Sequence, residues 1–193
     1  ELRSPYGITF YKQDNSSYKV LVTDSYEYNN PREDRILTWD FSIENESFNV
    51  SEASVLGNPT LYQVESIQAD KHYNTLLVAE EMEEHHKVMV LDLMTGEVLK
   101  EDLGDFNRGN DPEGIALVIN KDHQGYWICT EQSKTDNRFH LYDRKTLENF
   151  ATMYLDNVSY TDGIATAYMH GKWFLYAVDN DARVAAFELP EIN

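Results

Sequence analysis

Four times along the chain a small residue followed by isoleucine opens a short strand-like run: Gly7-Ile8, Ser66-Ile67, Gly114-Ile115 and Gly163-Ile164, spaced 59, 48 and 49 residues apart. A repeat of this length constrains the fold more than any composition. A unit of three or four short strands cannot bury both of its own faces and has to stack on its neighbours. Second apolar runs ending in polar groups follow each opening, over Lys19 to Asp24, Thr75 to Glu81, Tyr126 to Gln132 and Trp173 to Asn180. Third runs close on an apolar residue and an acid, at Trp39-Asp40, Leu91-Asp92, Tyr142-Asp143 and Phe187-Glu188. A weaker fourth strand fits Phe48 to Val55, Glu97 to Glu101 and Asn149 to Leu155, with no counterpart after Leu189. Segments of helical period are almost absent.

This pattern predicts an all-β chain, a β-propeller with four blades over about 6–58, 59–107, 108–158 and 159–193. A β-sandwich is the alternative. Propellers often close by pairing a terminal strand into the last blade, and no segment ahead of the first blade is present to supply one. Either the four blades close imperfectly or, the favoured expectation, they are the C-terminal part of a larger propeller whose first blades lie on another segment or chain.

Thirty-four Asp and Glu against sixteen Lys and Arg give a formal charge of −18, which disfavours nucleic acid and anionic membrane surfaces and favours cations. No apolar run approaches the length of a membrane span. The single cysteine, Cys129, sits in an apolar run and is expected to be a buried, inert thiol. Asn15, Asn45, Asn49 and Asn157 each open an Asn-x-Ser triplet, a glycosylation acceptor in a secreted eukaryotic setting.

In a propeller the innermost strands converge on one axis, so the residues that begin them meet at one end of the channel. Here those residues are Tyr6, Glu65, Glu113 and Asp162. Three carboxylates brought together repel unless a cation lies between them, and hard oxygen ligands suit calcium. Asp111, two residues before Glu113, and Asp156, in the loop before Asp162, add further oxygen ligands. The ends of the second runs, Glu80-Glu81, Glu131-Gln132 and Asp179-Asn180, fall on the same rim if strand directions alternate. Capping turns or binding water is the alternative role for any one of these acids. Adjacent His85 and His86 would point to opposite faces of a strand and read as part of a hairpin turn, which argues against a transition-metal pair.

Several segments together resemble the calcium-dependent β-propeller phytases. They are Asp111-Pro-Glu113-Gly-Ile, Gly125-Tyr126 with Gln132 closing its strand, Leu141-Tyr142-Asp143-Arg144, Asp156, and Thr161-Asp162-Gly163-Ile164. Upstream, Tyr6-Gly7 opens a strand as in that family, and Glu65 is followed by Ala69-Asp70 and Ala79-Glu80-Glu81. The resemblance implies a six-bladed parent propeller and several calcium ions held by Glu65, Asp111, Glu113, Asp156, Asp162 and Asp179. It implies catalytic roles for Glu113, Asp162, Gln132 and Glu81, and a substrate contact for Tyr6. The implied reaction is calcium-assisted in-line attack of water on a phosphomonoester such as phytate, in an extracellular, periplasmic or cell-surface setting.

The sequence departs from the family at Val22-Thr23-Asp24-Ser25, where the family carries a substrate-binding lysine, and Arg32 or Arg35 would have to substitute for it. Two further readings fit a calcium propeller. One is a non-catalytic domain that binds a protein or nutrient at a bacterial surface. The other is an ester or lactone hydrolase, which would need a single catalytic calcium with a histidine beside it.

Overall fold

A computed structural model describes residues 1–44, 47–57, 59–104, 106 and 110–190. The acceptor Asn45 and the predicted blade limits at 58, 107, 108 and 193 lie outside the described residues. The chain is all-β, of β-propeller type, and divides into two compact units, Glu1–Asp102 and Leu103–Asn193, each holding two blade sheets. Among the described residues the one helical turn is Lys121–His123, and no helix is long and apolar enough to cross a membrane.

In the first unit, blade 1 comprises β1 (Pro5–Lys12), β2 (Ser17–Asp24), β3 (Ile36–Glu44), β4 (Ser47–Val50) and β5 (Ser54–Val55). Blade 2 comprises β6 (Val64–Asp70), β7 (Thr75–Glu80), β8 (Lys87–Asp92) and β9 (Val98–Lys100). In the second unit, blade 3 comprises β10 (Asp111–Ile119), β11 (Gly125–Gln132), β12 (Arg138–Asp143) and β13 (Asn149–Met153). Blade 4 comprises β14 (Ile164–Met169), β15 (Lys172–Asp179) and β16 (Arg183–Glu188), with no fourth strand among the described residues. Every blade is an antiparallel meander, and β1 packs on β6 as β10 packs on β14. The strand that opens each blade is thus its inner strand.

Burial follows the stacking. The middle strand β7, Thr-Leu-Leu-Val-Ala-Glu, is buried at all six positions, because it has a sheet neighbour on each side and packed side chains on each face. Tyr11, Leu21, Ile36, Val64, Leu76, Met89 and Leu91 form one core between blades 1 and 2. Val118, Tyr126, Ile128, Phe139, Leu175 and Ala177 form another between blades 3 and 4. Cys129 is fully buried, and burial pushes its thiol pKa up, as expected of an inert packing residue.

The glycines that mark the first and third repeats have a steric cause. A Cβ on Gly7 would fall 2.4 Å from the carbonyl oxygen of Glu65, and one on Gly114 would fall 2.8 Å from the amide nitrogen of Ile164. Inner strands of adjacent blades approach too closely there for a side chain. Hydroxyls from the second strand bind this stretch, across the seam to blade 2 from Thr23 and within blade 3 from Thr130. Thr23 Oγ1 accepts from Gly7 N at 2.8 Å and donates to the carbonyl of Glu65 at 2.9 Å, while Thr130 Oγ1 donates to the carbonyl of Gly114 at 3.3 Å. Two of the acids closing the third strands make turns: Asp92 Oδ1 accepts from Met94 N and Thr95 N, and Asp143 Oδ1 from Lys145 N and Thr146 N.

Candidate functional site

The inner strands of blades 1, 2 and 3 share one irregularity. Pairing with the second strand slips between Pro5 and Ile8, between Val64 and Ile67, and between Pro112 and Ile115. The slips bracket Tyr6, Glu65 and Glu113. A bulge kinks the strand and re-aims the side chain it carries, so these three residues leave the regular alternation at equivalent points. Asp162 stands at the same distance ahead of its isoleucine, just before β14 begins. Glu65 and Glu113 are buried, Gln132, Glu81 and Asp162 are half-buried, and Tyr6 is exposed.

Four further acids end the second strands at equivalent register: Asp24, Glu80, Glu131 and Asp179, all buried. Each takes hold of the segment leading into its own blade. Asp24 accepts from Arg3 N and Ser4 N at 3.0 and 2.8 Å, Glu80 Oε1 from Tyr62 N at 2.8 Å, and Asp179 Oδ1 from Ser159 N at 3.0 Å. Glu131 Oε1 accepts from the Asn110 amide at 2.6 Å. Opposite each acid, on the third strand, stands a base. Lys87 pairs with Glu80, Arg138 with Glu131 and Arg183 with Asp179 in the strand register, and Arg35 N–H groups reach the carbonyl of Asp24. A buried carboxylate held by a backbone N–H and faced by a cation is a structural clasp. The sequence pattern contained it, as an acid ending each second run and a base opening each third run, but it was masked by the neighbouring rim residues.

The clasps present two groups of polar side chains. In the first unit Gln63 Nε2 donates to Glu65 Oε1 at 3.2 Å and also to Glu81 Oε2, so one amide bridges two carboxylates. Glu65 Oε2 is buried with no hydrogen-bond partner among the described residues. Burial first, then the Glu81 carboxylate, pushes the Glu65 pKa up to about 8, against a smaller opposing pull from Gln63 and the Tyr6 hydroxyl. In the second unit Gln132 Nε2 donates to Asp162 Oδ1, and Asp111 stands directly across from Gln132 in the strand pairing, two residues before Glu113.

A buried carboxylate with an orphaned oxygen, beside a second carboxylate, is a donor set that suits a hard cation, since only positive charge keeps both acids ionised at neutral pH. The family model for phytase matches residues 43–176, which span Glu65, Glu81, Asp111, Glu113, Gln132, Asp156 and Asp162. The chain belongs to the phytase family.

Among solved structures, this phytase-family chain is similar in fold to a thermostable family-43 glycoside hydrolase (TM-score 0.59, 13% identity, 92% of this chain and 63% of that one). It is also similar to an exo-β-1,3-galactanase from Phanerochaete chrysosporium (TM-score 0.62, 12% identity, 96% and 47%). A third is a β-xylosidase/α-arabinofuranosidase from a compost microbial metagenome, solved with xylotriose in a calcium-free form (TM-score 0.59, 10% identity, 97% and 74%). At such identities the likeness concerns fold alone. The chain spans 63% of the first of these structures and 47% of the second. No curated protein matches the sequence.

The geometry also shows what holds several of the residues expected in a phytase-like site. Arg35 is buried, and its guanidinium donates to the carbonyls of Leu61, Asp24, Tyr26, Glu27 and Asn30, which knots the loop 25–34. Arg32 is engaged by both oxygens of Asp34, at 2.7 and 2.8 Å, and by Glu27 at 3.4 Å. Ser25, in the stretch where the resemblance leads one to expect a lysine, donates to the carbonyl of Val64. The expected metal ligand Asp179 is a clasp acid, with Ser159 on one oxygen and Arg183 on the other at 2.7 Å. Asp156 is exposed and lines a cleft of about 610 Å³ with Lys134, Asp136, Asn137, Asp179 and Asn180, a lining that includes neither Gln132 nor Asp162. Among the described residues no three Asp, Glu, His or Cys side chains are placed together to hold an ion. The rim carboxylates are spread over separate blades, and carboxamides stand beside them. His85 stacks on Tyr62 at 4.3 Å, a packing role for that histidine.

Proposed function

We propose that this chain carries the calcium-binding rim of a phosphomonoester hydrolase of phytase type, with phytate or a similar polyanionic phosphate ester as substrate. The observation that carries the reading is the Glu65 group: a carboxylate on a strand bulge, buried, with one orphaned oxygen and a second carboxylate joined to it through Gln63. In blade 3 the same bulge carries Glu113, with Asp111 and Gln132 beside it.

In this reading Glu65, Glu81, Asp111, Glu113 and Asp162 supply oxygens to calcium, with Asp156 a more distant contributor from its cleft. Bound calcium would reverse the local negative field, polarise phosphate oxygens and lower the pKa of an attacking water. The Gln132 amide, already a donor to Asp162, orients phosphate or water as a neutral group, and Tyr6 offers its exposed ring to substrate. No side chain needs to act as a covalent nucleophile. Blade 1 exposes Ile8, Phe10, Phe48 and Val50, an apolar surface against which further blades would pack in this reading. An extracellular, periplasmic or cell-surface setting would supply calcium at the concentrations such sites use.

One observation favours a non-catalytic calcium propeller. The family's substrate lysine is replaced by Ser25, and both candidate substitutes, Arg32 and Arg35, are occupied. Phosphate release from phytate by the full-length protein separates the readings. Release with millimolar calcium that chelator abolishes supports the hydrolase. If calcium raises thermal stability and no phosphate appears, the binding reading replaces it.

A further inference from the structure

Blades 2 and 3 place three polar side chains at matching positions: two residues before the isoleucine-linked bulge residue, on the bulge, and just after the clasp acid. In blade 2 these are Gln63, Glu65 and Glu81; in blade 3 they are Asp111, Glu113 and Gln132. Both sets contain two carboxylates and one carboxamide. The amide has changed places: it precedes the bulge in blade 2 and follows the second strand in blade 3. Backbone pairing confirms the equivalence, since Glu81 N donates to the Gln63 carbonyl at 3.0 Å and Asp111 pairs with Gln132.

We propose that Gln63 is a ligand of the calcium ion held at Glu65 and Glu81, supplying its side-chain carbonyl oxygen where blade 3 supplies Asp111. The inference rests on the calcium reading of the same rim.

The Gln63 nitrogen already occupies a cation's position. Its two N–H groups point at Glu65 Oε1 and Glu81 Oε2, so the amide acts as a neutral stand-in for positive charge between two acids. A half-turn of the terminal amide presents the carbonyl oxygen in place of the nitrogen, and rotation of the flexible side chain away from the two acids leaves the ion's place free, which turns the bridge from a donor into a ligand. Amide carbonyls are ordinary calcium ligands. The backbone need not move for this exchange. Tyr62 is fixed by Glu80 Oε1 at 2.8 Å and by His85 stacked on its ring, and Gln63 itself is fixed by Glu81 N. The orphaned Glu65 Oε2 is the independent sign that this cradle expects a further partner.

Calcium titration of the chelator-stripped full-length protein by isothermal calorimetry tests the proposal with Gln63→Leu and Gln63→Glu. Gln63→Leu, which removes both the donors and the carbonyl oxygen, is expected to weaken one calcium site by about tenfold or more. Gln63→Glu, which copies the acid of blade 3, is expected to bind at least as tightly as the native protein. Native-like or tighter binding by Gln63→Leu overturns the ligand role, because the amide would then be only a removable bridge. If Gln63→Leu does not fold, weaker binding by Gln63→Glu overturns it instead. Native protein that binds no calcium overturns both this inference and the reading beneath it, whereas native binding with insensitive variants overturns the inference alone.

Discussion

Blade 2 and blade 3 solve the same problem with the same parts in a different order. Both put a glutamate on an inner-strand bulge, Glu65 or Glu113, and both hold the entry segment with a buried clasp acid, Glu80 or Glu131. They differ in how the clasp is neutralised. Glu80 has Lys87 at 3.6 Å, whereas Glu131 has His140 at 2.7 Å and Asn110 at 2.6 Å, with Arg138 farther away at 3.9 Å. They differ also at the rim, where an amide bridges two acids in blade 2 and meets the acid of the next blade, Asp162, in blade 3. The clasp belongs to the fold, and in the proposed calcium reading the bulge residues carry the chemistry.

That division can be broken at either level. The largest expected effect is on chemistry: Glu113→Gln should lower calcium-dependent phosphate release by about a hundredfold or more while far-UV circular dichroism stays native, because it removes a charge from the rim and leaves the clasp intact. A fall in activity matched by loss of fold would assign Glu113 to the structural class instead. Next comes the clasp. Glu131→Ala leaves His140 and Asn110 without their buried partner, and denaturant unfolding should register a loss of about 3 kcal/mol.

Arg35→Met sharpens the same line, since five backbone carbonyls lose their donor. A loss of about 2 kcal/mol is expected by the same measurement, and a change in KM without a change in stability would restore the substrate role. The smallest effect concerns Glu65. Its carboxyl titrates higher in the folded protein than in the unfolded chain, so the folded state holds the proton longer and stability falls as pH rises from the ordinary carboxylate range toward about 8. In chelated protein Glu65→Gln should remove that decline and raise Tm by a few degrees at pH 8. Calcium should remove the decline in the native protein and do little for the variant.

Much of this was legible beforehand, for identifiable reasons. The four-fold strand pattern survives in sequence because Gly7 and Gly114 are sterically required and because strands such as β7 must be apolar on both faces. Glu65, Glu113 and Asp162 were visible because their distance from a recurring isoleucine is constant. What stayed hidden depends on pairing between strands. A bulge leaves no composition signal, so strand pattern alone does not distinguish Glu81 from Glu80, or Gln132 from Glu131, as rim or clasp, and only the family resemblance singles out Glu81 and Gln132. Arg35 read as a free cation because its five acceptors are backbone carbonyls, which carry no residue identity. Asp179 read as a ligand because its role depends on Arg183 lying across the strand. Gln63 drew no attention, since an amide is notable only once it is seen between two acids.

Anomalous scattering from calcium in crystals of the full-length protein, grown with millimolar calcium, is the most direct measurement. Ions within about 2.3–2.6 Å of carboxylate oxygens of Glu65 and of Glu113 are the expected result. Well-ordered density for both glutamates with no ion at either would contradict a calcium rim on this propeller.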